Sequence, residues 1–153
     1  MQIEKNKITY SLMRIKDYPA IHALWMATPG MGLNDKDDSI EGIQRFLDRN
    51  PNTCFTANLD GHVVGVIMSG HDGRRGYIYH TAVATMFQRR GIASELVELT
   101  LQALRTEGIH KVALVAFSHN EAGNAFWQQL GFTKRTDLTY HNKALSDLKR
   151  IDT

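Results

Sequence analysis

The sequence predicts a single-domain α/β fold (α+β by some schemes). Its sheet should be mixed and mostly antiparallel, with helices on both faces and one parallel βαβ unit. Three observations carry this. Residues 77–84 are rich in β-branched and aromatic types, and a basic turn leads from them into an amphipathic run at 91–107. Residues 112–117 form a continuous apolar run, as in a strand buried on both faces. Asp60-Gly61, between two strand-like runs, is a strong hairpin signal.

The elements follow in order. Ile8, Tyr10 and Leu12 alternate with polar residues, so a first strand covers 8–15. Asp17 can cap the next helix and Pro19 suits its first turn. Ile21, Leu24 and Trp25 give that helix an apolar face, and Pro29-Gly30 ends it. A loop from Met31 to Asp38 carries Asp35, Asp37 and Asp38. Asp38 and Glu41 have capping-box spacing ahead of a second helix, marked by Ile40, Ile43, Phe46 and Leu47 and stopped by Asn50-Pro51. Strands at 53–59 and 62–69 flank the hairpin turn, and a polar loop, 70–76, follows.

The strand at 77–84 and the helix at 91–107 come next, and Gly108 ends that helix. With the strand at 112–117 they make a βαβ unit with parallel strands. Residues 121–130 form a short helix capped by Asn120 and closed by Gly131. Two last strands are expected at 132–135 and 138–140, giving the order β α α β β β α β α β β. Residues 1–144 read as the domain and 145–153 as a polar, mobile tail.

The chain has 153 residues, enough for one full hydrophobic core. With 42% hydrophobic and 22% charged residues it has an ordinary globular composition, which argues against disorder. The formal net charge of +2 argues against a nucleic-acid partner unless the charge is concentrated. Cys54 is the single cysteine, so an intramolecular disulfide is excluded and a reducing cytoplasm is the expected setting. In its apolar run it reads as a buried structural thiol. No run reaches the length of a membrane span, and no membrane partner is expected. No metal is expected.

The chemistry concentrates at the turn. Where a strand runs into a helix, the first backbone N–H groups lack helical partners and point outward, with the helix dipole behind them. Arg89 and Arg90 add positive charge, so the junction is a candidate anion site. It is neither a G-x-G-x-x-G fingerprint nor a Walker A loop.

Gln88-Arg89-Arg90-Gly91-Ile92-Ala93 matches a Q/R-x-x-G-x-G/A signature. Asn120, with Trp127 seven residues on and then Gly131-Phe132, follows an N-x-x-A-x-x-x-Y-x-x-x-G-F/Y pattern. In both motifs, and in element order over nearly its whole length, the chain resembles the GNAT superfamily of N-acetyltransferases.

The resemblance implies acetyl-CoA as acetyl donor. Its pyrophosphate would lie on the N–H groups of residues 89–94, with Gln88, Arg89, Arg90, Gly91, Ile92, Ala93 and Ser94 as the lining. The backbone of Val83 would pair with the pantetheine amides, that of Thr81 would polarise the thioester carbonyl, and Asn120 would contact the pantetheine chain. Trp127 stands where many relatives carry the tyrosine that protonates the leaving thiolate, and indole has no such proton to give. Gly123 stands in place of the alanine.

An attacking amine must lose a proton, so a base near neutrality is useful. His80, or Tyr79 beside it, is the candidate catalytic group. Regular alternation would send these two side chains to opposite faces. The acidic loop lies where relatives cover the acceptor groove. Asp35 and Asp38 are candidates to attract a cationic amine, and Trp25 and Met31 to wall its pocket. The expected activity is direct acetyl transfer to a primary amine of a small molecule or protein. A catalytically degenerate acyl-CoA-binding module is the alternative. A homodimer is left open.

Overall fold

The computed structural model describes residues 7–152. The chain runs β1 (Ile8–Leu12), α1 (Tyr18–Met26), α2 (Ile40–Arg49), β2 (Phe55–Leu59), β3 (His62–His71), β4 (Gly76–Val83), α3 (Ile92–Thr106), β5 (Val112–Ala113) and α4 (Glu121–Gln129). One five-stranded sheet has the order β1-β2-β3-β4-β5. The first three pairings are antiparallel and β4–β5 is parallel, so the fold is the mixed α/β domain expected.

Each face of the sheet has its own core. On one side Ile21 and Trp25 of α1 and Ile43 and Leu47 of α2 pack with Met13, Leu33, Cys54, Val66, Met68 and Ala82. On the other, Ile92, Leu96 and Val97 of α3 pack on Ala57, Val64, Ile67, Ile78 and Val83, and Phe126 and Trp127 of α4, with Leu130 just past its end, extend that layer. The buried set on α3 (Ile92, Leu96, Val97, Thr100, Leu104) follows the helical repeat that its sequence shows. Thr100 is the polar member, and its hydroxyl donates to the Thr53 carbonyl at 2.8 Å.

Four expectations are corrected. The fifth strand, predicted over 112–117, pairs with β4 at two positions, Gly76↔Val112 and Tyr77↔Ala113. Pairing stops there because β4 carries an extra residue. Met68 faces Tyr79 and Val66 faces Ala82, so two residues of β4 oppose Ile67. A bulge of this kind bends its strand and increases its twist, which turns β4 away from β5.

The final strands at 132–135 and 138–140 do not form. The short β5 offers almost no edge to extend. Within this stretch Arg135 donates twice to Asp137, both at 2.7 Å.

The second helix is capped by Ser39, whose hydroxyl accepts the Gly42 N–H at 3.0 Å. Asp38 does not cap it, because its carboxylate is engaged elsewhere.

The expected mobile tail is held at residues 149–152. Arg150 bridges Asn34 in antiparallel fashion, and the Ile151 N–H donates to the Leu33 carbonyl at 3.1 Å. Among the described residues, no helix is long and apolar enough to cross a membrane.

Candidate active site

The bulge decides which side chains meet. His80 and Tyr79 are not on opposite faces, because the extra residue breaks the alternation there. The Tyr79 ring meets Phe46 of α2 edge-on at 5.5 Å between centroids, and the His80 ring meets Trp25 of α1 at 5.0 Å. Both rings therefore sit on the face covered by α1 and α2.

His80 has a partner that no local sequence pattern announces. Its Nε2 lies 2.6 Å from Asp38 Oδ1. The Asp38 carboxylate is buried, and three contacts fix the residue. Its Oδ2 accepts the Asn34 N–H at 2.8 Å, its main-chain carbonyl accepts the Tyr18 hydroxyl at 2.6 Å, and its Oδ1 takes His80. The carboxylate thus holds a proton on His80 Nε2 and leaves the lone pair on Nδ1. Nδ1 has no partner among the described residues and is not sealed from solvent, since the one sealed, unpartnered side-chain polar atom among them is Trp25 Nε1. A base whose far nitrogen is fixed by a buried carboxylate can accept a proton at the near one and have the resulting charge stabilised.

Tyr79 is a different kind of group. Burial, then Tyr140, then Asp37 push its phenol above the ordinary value. Its neighbour Tyr77, with ring centroids 4.6 Å apart, is pushed up to about 12, chiefly by burial. Both hydroxyls stay protonated at neutral pH and can donate hydrogen bonds.

The basic turn follows β4 directly. Arg89 has φ 64° and Gly91 φ 81°, both left-handed, and Gly91 stands at the helix N-cap with no side-chain cap. Among the described residues, none of the backbone N–H groups from Arg89 to Ser94 has a protein acceptor. A Cβ on Gly91 would meet nothing within 4 Å, so the space in front of the turn is open. Gln88 is exposed, and its Nε2 donates to the Val83 carbonyl at 3.1 Å. Ala84 N–H donates to Val64 on β3, so by alternation the backbone of Val83 faces the edge where β5 has parted. Arg89 and Arg90 are exposed, and Arg90 lies over the Phe87 ring at 5.5 Å.

Asn120 caps α4, its Oδ1 accepting the Gly123 N–H at 3.0 Å. A Cβ on residue 123 would come within 2.5 Å of the Asn120 side chain, which is the physical reason for glycine there. Trp127 packs edge-on against Phe126 at 5.0 Å and Phe132 at 5.2 Å, as part of the α3-side core.

The residues assigned to the acceptor side divide. Trp25 is fully buried under His80 and lines no open wall. Met31 is partly buried at the edge of the same core. Asp35 is exposed, and its carboxylate accepts the Lys149 N–H at 2.8 Å. Asp37 accepts from the Asn34 side chain at 2.9 Å. Asp38 faces His80 and not solvent. Sequence reasoning missed Tyr18 and Asn34, which fix Asp38, and Phe46 and Tyr77, which wall Tyr79. Nothing local marks any of them, since all act across the tertiary fold. His71, the last residue of β3, contacts Glu107 at 2.7 Å, and its Nδ1 accepts the Gly73 N–H of the turn that follows at 2.9 Å.

The sheet is split beside its parallel strand, and an uncapped basic helix start stands at the opening. The chain belongs to the acetyltransferase (GNAT) family, whose model matches residues 18–132. It is 30% identical over 144 residues to an acetyltransferase of Photorhabdus laumondii, covering 92% of this chain and 93% of that one. An acetyltransferase of Pectobacterium atrosepticum is 28% identical over 136 residues, covering 89% and 95%. In fold it is similar to Ard1 from Thermoplasma volcanium, with TM-score 0.72, 22% identity and 83% of each chain covered. It is also similar to an aminoglycoside acetyltransferase from an uncultured soil metagenomic sample, with TM-score 0.71 and 23% identity over 93% of this chain and 99% of that one.

Proposed function

We propose that the protein moves an acetyl group from acetyl-CoA directly to a primary amine of a small molecule or protein, with His80 as general base and Asp38 as its orienting partner. The observation that carries this reading is the 2.6 Å contact between His80 Nε2 and the buried Asp38 carboxylate. Burying a carboxylate is costly unless it is bonded and paired, and Asp38 accepts the Asn34 N–H on one oxygen and is paired with His80 on the other.

The residues present fit acetyl-CoA. Six consecutive N–H groups, residues 89–94, are without acceptors among the described residues and suit a dianionic pyrophosphate. Gln88, Arg89, Arg90, Gly91, Ile92, Ala93 and Ser94 form this cradle, and the open edge at Thr81 and Val83 suits the amides of the pantetheine arm. Asn120 and Trp127 line the α4 side. When bound, the coenzyme supplies an activated acetyl thioester. His80 Nδ1 would take the proton of the amine as its nitrogen bonds to the acetyl carbon, Asp38 would stabilise the imidazolium, and the Thr81 backbone would polarise the carbonyl oxygen while the C–S bond breaks and the CoA thiolate leaves to solvent. Tyr77, Tyr79 and Phe46 give the acceptor side an aromatic wall, with Met31 and Asp35 on its rim. A cytoplasmic setting fits the buried, reduced Cys54.

A panel of amines and amine-bearing peptides, scored by release of the CoA thiol, tests the reading. Turnover of at least one amine is expected, and His80→Gln should lower it at least about a hundredfold. Tight acetyl-CoA binding with no amine turned over would reject it in favour of a binding module.

A further inference from the structure

We propose that residues 149–152 form a clamp that holds Asp38 on His80, with Asp152 as its positioning residue. The consequence for turnover rests on the functional reading above. The clamp itself rests on contacts alone.

The loop between α1 and α2 carries Asp38 and is loose by composition. Gly30 and Gly32 both adopt left-handed backbone, at φ 80° and 73°, and nothing helical or extended spans the segment before α2. What fixes it comes from the far end of the chain. The two carboxylate oxygens of Asp152 accept separate N–H groups, Oδ2 that of Gly32 and Oδ1 that of Leu33, each at 2.9 Å. The Ile151 N–H donates to the Leu33 carbonyl, and Asp35 N–H donates to the Lys149 carbonyl at 2.9 Å. Leu33 is fully buried, so its main-chain groups have no water to turn to.

The clamp is itself anchored. Arg150 Nε donates to Asp152 Oδ1 at 3.1 Å, and the guanidinium lies 5.1 Å over the Phe117 ring. Phe117 in turn lies against Gly32, where a Cβ would come within 3.5 Å of the ring. Residues 149–152 therefore tie the loop to Phe117, in the segment that follows β5.

A short path leads from the clamp to the dyad. Asn34, the residue bridged by Arg150, donates its N–H to Asp38 Oδ2, and Asp38 Oδ1 holds His80 Nε2. Loss of Asp152 releases Gly32 and Leu33, lets Asn34 drift and frees the carboxylate to rotate off the imidazole. His80 then loses its fixed tautomer.

The test uses the full chain without ligands. The low-field proton resonance of the His80 Nε2–H···Asp38 bond is assigned by its disappearance in His80→Gln. It is then followed in Asp152→Ala and Asp152→Asn, with folding checked by thermal melts. Loss or strong broadening of the signal in Asp152→Ala is expected, with an intermediate effect in Asp152→Asn, which keeps one acceptor oxygen. With an accepted amine, kcat/KM for that amine should fall about tenfold while the KM for acetyl-CoA stays within about twofold. An unchanged resonance in folded Asp152→Ala overturns the clamp; should that variant not fold, an unchanged resonance in Asp152→Asn does so. If His80→Gln removes the resonance but keeps turnover, the base assignment fails, and the resonance in the Asp152 variants still decides the clamp.

Discussion

Tyr79 and His80 are consecutive on β4, yet their ring centroids lie only 6.4 Å apart on one side of the sheet. A regular strand forbids this, and the bulge opposite Ile67 allows it. It puts an aromatic wall and an imidazole next to each other at the point where β4 leaves β5.

Neither Tyr79 nor Trp127 is expected to act as an essential acid. The phenol of Tyr79 is held above its ordinary value, first by burial, which makes it a weaker proton donor. Trp127 is packed between Phe126 and Phe132 and carries no titratable proton. Tyr79→Phe and Trp127→Phe should each keep kcat within about tenfold of the wild type. A loss of several hundredfold in either folded variant, measured at saturating substrates, would show that the leaving thiolate depends on that ring.

Gly91→Asp should weaken acetyl-CoA binding more than tenfold, on the order of 1.4 kcal/mol. The substitution sets a carboxylate among N–H groups that have no other acceptor, at a φ of 81° that disfavours any side chain. Gly91→Ala separates the two effects, since it brings the backbone strain without the charge. Calorimetric titration reads both, and equal affinity of Gly91→Asp and wild type would remove the anion site from the account.

Burial pushes the Asp152 carboxyl up, but hydrogen bonds from Arg150, Leu33 and Gly32 outweigh it and hold it below the ordinary 3.8. A carboxyl depressed in the folded state adds stability that is complete above its unfolded value and is lost as pH falls through the folded one. Asp152→Ala should therefore melt about 3 °C or more below wild type at pH 7. That gap should close as the pH drops below 3.8 and passes the depressed folded value. A gap that is constant with pH would mean the side chain contributes packing and not charge.

The turn at residues 88–94 was legible because strand, glycine and helix are contiguous, and contiguity is what sequence shows best. The two-sided sheet was legible for the same reason, through the alternation of residues 8–12 and the helical repeat from Ile92 to Leu104. The bulge was not, since Tyr79-His80-Thr81 reads as unbroken strand and the extra residue is defined only by its partners on β3. Asp38 read as a helix cap, because Asp38-x-x-Glu41 has the capping spacing, and as a charge for a cationic acceptor, because its loop is acidic. The structure gives the cap to Ser39 and the carboxylate to a histidine 42 residues away. The strands foreseen at 132–140 fail for a related reason. Their propensity is present, but the edge they would extend ends at Ala113.

The central claim is that His80 and Asp38 act as one unit, and a double-mutant cycle on kcat/KM for an accepted amine tests it most directly. His80→Gln should cost about 10²- to 10⁴-fold, Asp38→Asn somewhat less, and the double variant no more than His80→Gln alone, because the carboxylate works only through the imidazole. Acetyl-CoA affinity should be unchanged throughout. Losses that multiply across the cycle, or near wild-type turnover in His80→Gln, would contradict it.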